Sequence, residues 1–293
     1  MSKLRIFLTG SGGFIGRNII EQLGWKYTIL APLHRELELT DAPAVETYFA
    51  RHHVDVVVHT ANIGGNRAEK DFPSPVAYNL RVFFTIVRNR KYFKKFIYLG
   101  SGTQYGKQSP IVRAKETDLG TRIPADEFGL YKYACAQYIE DSTLPFINLI
   151  LFGIYGKYEP YAFRFISNAL CRVLFDIPIT ISQNVFFDYL WIDDFVRILD
   201  HFISHVPKYR TYNVGTGKRI DLLSIAKKVL RITGKKLPIR IAQPGLKDEY
   251  TCDISRLKAE IPTLHFADFD ESIRSLYDYY QNKKHALDKK SLL

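Results

Sequence analysis

Short, nearly continuous apolar runs alternate with segments of helical spacing through the first half of the chain. Residues 4–8, 27–31, 56–58, 96–99 and 146–151 are such runs, rich in β-branched and aromatic side chains. Runs of this kind predict strands buried on both faces, as in a parallel sheet covered by helices. Helical spacing falls between them, at residues 14–23, 43–51, 75–91 and 128–140. The alternation predicts an α/β fold with a doubly wound parallel sheet.

After Gly156 the rhythm breaks. Helical patterns over residues 163–174, 193–203 and 222–232 are interleaved with strand-like runs at 179–182, 186–191 and 212–215. The helix at 193–203 is expected to open on its own acidic residues as a cap. These elements predict a smaller, mixed C-terminal lobe over residues 156–293, with parts of 185–220 joining the first domain, residues 1–155. The polar tail, 285–293, is expected to fray.

Composition narrows the setting. Of 293 residues, 46% are hydrophobic and 24% charged, which excludes a disordered chain. The net charge of +11 points to anionic partners: nucleic acid, a membrane surface or phosphorylated small molecules. The longest apolar stretch, 144–156, is too short to span a bilayer and contains Pro145 and Asn148, so no membrane association is expected. The chain enters its first strand at once, so no signal peptide is expected. Cys135, Cys171 and Cys252 lack metal-ligand spacing, and their odd number suits a reducing cytoplasm; no metal is expected. Arg88, Arg90, Lys91, Lys94 and Lys95 cluster around Tyr92 and Phe93. A helix C-terminus explains that cluster better than a nucleic-acid site, because no nucleic-acid motif accompanies it.

The strongest motif follows the first strand and opens the first helix: Gly10-Ser11-Gly12-Gly13-Phe14-Ile15-Gly16, a Gly-x-x-Gly-x-x-Gly loop with an additional glycine at Gly12. Glycines let the backbone turn tightly and approach a pyrophosphate, and the helix N-terminus offers free N–H groups and a positive field. The second strand runs into His34 and Arg35. An acidic residue there would bind a ribose 2′-hydroxyl, whereas His and Arg suit a 2′-phosphate, so NADP(H) is preferred and NAD(H) remains possible.

The glycine spacing, the segment from Arg35 through Glu38 and Leu39 to Asp41, and Thr60-Ala61-Asn62-Ile63-Gly64-Gly65 with Pro75 and Asn79 beyond carry a resemblance. The whole chain resembles the extended short-chain dehydrogenase/reductase family of nucleotide-sugar enzymes, and within it the GDP-fucose synthase branch of 4-ketosugar reductases. The resemblance implies a Rossmann-type dinucleotide-binding domain and a substrate-binding lobe. It places Gly10, Gly12, Gly13, Phe14, Ile15, Gly16, His34, Arg35, Ala61, Asn79 and Lys132 at the cofactor, with Glu38 and Leu39 along the adenine edge. It also implies a homodimer, paired through the helices at 75–91 and 128–140.

In that family a Ser or Thr at the end of the fourth strand hydrogen-bonds the reacting oxygen, which here is Ser101. A Tyr-x-x-x-Lys pair then moves the proton. Here Lys132 matches the lysine, and Phe128 stands at the tyrosine position. A phenyl ring fills the space but has no proton to give. Either the chain is a Tyr→Phe catalytic variant, or it is a relative that lost the step and only binds; the intact Ser101, Lys132 and glycine loop favour the first.

Other departures shape the expected chemistry. Gly102 and Thr103 replace the Asp-Glu of the family's dehydratases. Thr103 also occupies the cysteine position of the 3,5-epimerising branch, and Arg164 falls near its histidine; neither shuttles a proton at neutral pH. Gly153 and Phe187 stand where the family has an Asn and an Arg that touch the nucleotide sugar. With Thr103 and Arg164 they form the expected substrate contacts. The resemblance implies NADPH-dependent reduction of the C4 ketone of a nucleotide-diphosphate-4-keto-6-deoxy sugar without 3,5-epimerisation. Two alternatives stay open: an NAD-retaining 4-epimerase, and a non-catalytic nucleotide- or RNA-binding relative.

Overall fold

A computed structural model describes residues 3–64 and 74–292; Gly65 of the motif above lies outside them. The central sheet has six strands in the order Thr28–Leu30, Arg5–Thr9, Val56–His59, Lys95–Ser101, Phe146–Leu151 and Thr211–Val214. Every neighbouring pair is parallel. The strand order reverses between Arg5–Thr9 and Val56–His59, so the crevice beyond their carboxyl ends is the switch point where such sheets bind ligands.

Alternation along each strand divides the core between the two faces. Ile6, Leu8, Val58 and Leu99 pack with the helices Phe14–Leu23 and Ile192–Ser204 on one side. Phe7, Val57, Phe96 and Tyr98 pack with the helices Ala42–Arg51, Pro75–Val87 and Glu127–Glu140 on the other. The sixth strand comes from the second half of the sequence. Beyond it, helices Phe165–Leu174, Leu222–Thr233 and Phe269–Asn282 pack on one another. A four-stranded sheet combines Ile111–Ala114, Tyr250–Cys252, Phe186–Phe187 and Ile220–Asp221.

The structure corrects four expectations. The helix predicted over 75–91 ends at Val87, because the buried Asn89 side chain donates to the Thr85 carbonyl at 2.9 Å and a separate turn, Arg90–Tyr92, follows. The run at 186–191 splits into strands of two sheets at the fully buried Asp188, whose carboxylate accepts from the Thr216 and Gly217 amides. The helix Ile192–Ser204 has no acidic cap: Trp191 holds the N-cap position, Asp193 accepts from Gln22, and Asp194 accepts from the Ala267 amide. The tail does not fray, because Leu292 is buried in the core and the Asp288 amide donates to the Tyr161 hydroxyl at 2.8 Å.

The basic cluster is largely engaged. Lys95 Nζ donates to the carbonyls of Phe202, Ile203 and His205, closing the C-terminal end of a helix, and Lys91 and Lys94 pair with Glu46 and Asp55. The three cysteines are buried free thiols. Among the described residues no helix is long and apolar enough to cross a membrane, and no group of three or more His, Cys, Asp and Glu could hold a metal ion.

Candidate active site

The glycine loop is built for close approach. Gly10 takes φ +68°, and a Cβ there would meet Thr60 Oγ1 at 2.6 Å and the Ala61 amide at 2.8 Å. At Gly16 a Cβ would run into the Gly10 carbonyl, so only glycine lets the helix start against the strand. Gly12, by contrast, faces open space, and the Gly13 N-cap uses no side chain to satisfy the first turn of the helix Phe14–Leu23. Unsatisfied amides and a positive helix end therefore face a cleft, the arrangement that takes a phosphate.

That cleft is a cavity of about 900 Å³. Its wall includes the loop from Gly10 through Gly12, Gly13, Phe14 and Ile15 to Gly16, together with His34, Arg35, Leu39, Ala61, Asn79, Phe128 and Arg164. Residues from the first strand, the loop after the second, the switch-point loop, the helix Glu127–Glu140 and the C-terminal lobe thus share one space. Glu38 is not on that wall: its carboxylate accepts from the Thr40 amide and hydroxyl at 2.8 and 2.7 Å and sits 2.6 Å from His34 Nε2. Burial pushes that carboxyl up, but the Thr40 hydrogen bonds and His34 outweigh it and hold it below its ordinary value. Arg35 is exposed and has no ion-pair partner among the described residues.

The far side of the switch point is held by a polar latch that sequence spacing did not single out. Thr9 Oγ1 accepts from the Thr60 and Ala61 amides, both at 3.1 Å, and lies 2.8 Å from His59 Nδ1. With both lone pairs of Thr9 used, its proton goes to Nδ1, which assigns His59 the neutral Nε2–H form. Burial, with the Lys132 charge adding to it, lowers the His59 pKa to about 3, in keeping with that form. Asn79 continues the latch: its side chain donates to the Ile63 carbonyl at 2.6 Å and accepts from the Ile63 amide at 2.9 Å.

Asp126 caps the helix Glu127–Glu140 by accepting from the Gly129 amide at 2.9 Å. A Cβ at Gly129 would lie 2.9 Å from the Thr103 carbonyl, so glycine lets this helix start against the turn after the fourth strand. Phe128 and Lys132, one helical turn apart, then share a face. The Phe128 ring lines the cavity and meets the Tyr131 ring edge-on at 5.3 Å. Lys132 is buried; its Nζ donates to the Leu99 carbonyl at 2.6 Å and lies 5.7 Å from the Phe128 ring centre. Burial lowers its pKa to about 7, so it titrates near neutrality.

Ser101, at the end of the fourth strand, accepts from the Thr103 amide at 3.4 Å. Ser101, Thr103, Lys132, Gly153 and Phe187 are not on the cavity wall. The Thr103 hydroxyl is buried without a hydrogen-bond partner among the described residues. Gly153 is given over to a chain crossing: its amide donates to the Asp188 carbonyl at 2.9 Å, and a Cβ would lie 2.5 Å from that oxygen. Phe187 packs between Tyr189 and Tyr250, its ring tilted to one and edge-on to the other, with centres 5.5 and 5.7 Å away. Arg164 stands at the start of the helix Phe165–Leu174, largely exposed, 4.0 Å from Glu159. Glu159 is buried; burial raises its pKa to about 7 against a hydrogen bond from Ser167 and the Arg164 charge. Tyr250, which no motif marked, reaches the turn after Ser101 from the C-terminal lobe: a Cβ on Gly102 would lie 2.5 Å from its hydroxyl.

Known proteins share this fold. Residues 6–215 match the model of the NAD dependent epimerase/dehydratase family. The GDP-L-fucose synthase of Escherichia coli is 24% identical over 313 residues, covering 96% of this chain and 97% of that one. Among solved structures, the GDP-mannoheptose C4 reductase of Campylobacter jejuni with NADP bound superposes with a TM-score of 0.84 at 18% identity, over 96% of this chain and 99% of that one. The Bordetella bronchiseptica enzyme WbmG in complex with NAD and UDP superposes with a TM-score of 0.83 at 22% identity, over 96% of both chains. At these identities the two superpositions speak for the fold.

Proposed function

The chain belongs to the NAD dependent epimerase/dehydratase family, and from that premise we propose that it is a nucleotide-sugar oxidoreductase that reduces the C4 ketone of a nucleotide-diphosphate-4-keto-6-deoxy sugar with NADPH. The observation that carries this reading is the single cavity in which the glycine loop, Phe128 and Arg164 meet. A nicotinamide dinucleotide fits the residues present: open space over Gly12, an uncapped helix start, and His34 and Arg35 where a 2′-phosphate would lie. When bound, the reduced nicotinamide supplies the hydride.

The chain's own residues do the rest. Gly10, Gly13 and Gly16 shape the pyrophosphate cradle, and Phe14 and Ile15 present their amides to it. Leu39 and Glu38 flank the adenine, and Ala61 and Asn79 hold the switch-point loop at the cofactor's middle. Lys132 holds the ribose hydroxyls. Ser101 hydrogen-bonds the C4 oxygen and stabilises the charge that develops there. A hydroxyl at position 128 would donate the proton, helped by the positive charge of Lys132; with Phe128 in place, only Ser101 or water can donate it. Thr103 and Arg164 leave the site without a base for epimerisation beside the ketone, and Arg164 serves the substrate diphosphate. Gly153 and Phe187, outside the cavity wall, shape the substrate side only through the residues they pack against. In this reading residues 1–155 bind the cofactor and 156–293 the sugar nucleotide.

The test is Phe128→Tyr, followed by NADPH absorbance with a panel of nucleotide-diphosphate-4-keto-6-deoxy sugars. General acid catalysis restored there raises the rate by ~10²–10⁴. If no sugar is reduced faster than by the Phe128 form, the reductase reading fails and a binding-only role replaces it. The reading includes a homodimer formed through the helices Pro75–Val87 and Glu127–Glu140, on which Phe84 and Leu130 are exposed at 42% and 37%. Light scattering should report twice the 33.9 kDa chain mass; a monomer contradicts it.

A further inference from the structure

We infer that Glu38 is a specificity-determining residue that narrows the preference for NADPH: its fixed carboxylate already occupies the imidazole of His34, which a 2′-phosphate would use. The inference rests on the reading above, in which His34 and Arg35 lie where that phosphate binds.

Glu38 to Asp41 form a turn that is held from outside as well as within. The Asp41 amide donates to the Glu38 carbonyl at 3.1 Å, and the Asp41 side chain accepts from the Ala44 amide at 3.0 Å to cap the helix Ala42–Arg51. From the helix Pro75–Val87, Arg81 Nε donates to the Thr40 carbonyl at 3.0 Å. The two oxygens of the Glu38 carboxylate then do different things. Oε1 accepts from both the amide and the hydroxyl of Thr40, at 2.8 and 2.7 Å. Oε2 lies 2.6 Å from His34 Nε2. One oxygen clamps the group to the turn, and the other is presented to the imidazole. Burial pushes the Glu38 carboxyl up, but the Thr40 hydrogen bonds and the charges of His34 and Arg81 hold it below its ordinary value, so it is ionised at neutral pH.

His34 lines the cavity and Glu38 does not. The imidazole therefore links the cavity wall to a fixed negative charge behind it. A ring nitrogen carries at most one hydrogen, so Nε2 cannot fully serve the carboxylate and a phosphate oxygen together. With NADH the pair persists, because a ribose hydroxyl brings no charge to the imidazole. With NADPH the phosphate either takes His34 from Glu38, leaving the carboxylate unpaired, or binds beside a pair that is already neutralised. Either arrangement costs affinity for NADPH and not for NADH. Arg35 is exposed and has no ion-pair partner among the described residues, so it is outside this competition. The preference for the phosphate thus comes chiefly from Arg35 and is reduced by Glu38, which makes the site one that accepts both cofactors.

The test uses Glu38→Gln, which keeps an oxygen for Thr40 and removes the charge. Calorimetric titrations of NADPH and of NADH, into the chain as it stands and into the variant, give the ratio of the two affinities. Any change common to both cofactors cancels in that ratio, so a merely structural role for Glu38 would not move it. The ratio should shift toward NADPH by about fivefold, the upper worth of an exposed ion pair. An unchanged ratio, a shift toward NADH, or a variant that binds neither cofactor overturns the inference and leaves the reductase reading standing. If the chain with Glu38 in place binds neither cofactor saturably, the cofactor reading itself fails, and the inference falls with it.

Discussion

One end of the cavity holds the glycine loop, the other Phe128, and the two ends are built differently. At the loop end, each residue that must be small is small: Gly10 and Gly16 could not carry a side chain, and Gly12 leaves its space open. At the Phe128 end the scaffold is equally specific. Asp126 caps the helix, Gly129 admits the Thr103 turn, and Lys132 is buried one turn from position 128, yet the ring there has no hydroxyl. In the proposed function, binding rests on main-chain shape and helix-end amides, and proton transfer on one oxygen atom.

The largest effect that can break this comparison is at position 128. Phe128→Tyr should change the rate by ~10²–10⁴ while moving the NADPH Kd less than twofold. A large gain in cofactor affinity instead would mean that the two ends are not independent. A smaller effect belongs to the loop end. Replacing His34 and Arg35 together with Ala removes charge-assisted contacts to a 2′-phosphate and should weaken NADPH by about tenfold, with NADH unchanged. Equal losses for both cofactors in titration calorimetry would show that the pair does not read the phosphate. The effect is kept modest by the structure, because His34 already contacts Glu38 and both side chains are exposed.

How far the sequence foretold the molecule follows the same division. The central sheet was legible because its strands are continuous apolar runs; the fifth, Phe146–Leu151, has the expected bounds. The glycine loop was legible because backbone shape restricts residue type. Four kinds of feature were not. The strands Ile111–Ala114 and Tyr250–Cys252 are short and pair across long sequence separations, so no local period marks them. The break at Asp188 is caused by hydrogen bonds to Thr216 and Gly217, which no local pattern displays. Leu292 anchors a polar tail through one buried contact. Gly153 and Phe187 pack against Asp188, Tyr189 and Tyr250, contacts that no local pattern displays. In each case the deciding neighbour lies elsewhere in the chain.

The central claim is that the loop end remains a working dinucleotide site although the chemical end lacks its proton donor. Its most direct test is a calorimetric titration of NADPH into the chain with Phe128 in place and no sugar present. The account predicts saturable binding with one cofactor per chain and an affinity tighter than for NADH. An absence of saturable binding for either cofactor would contradict it.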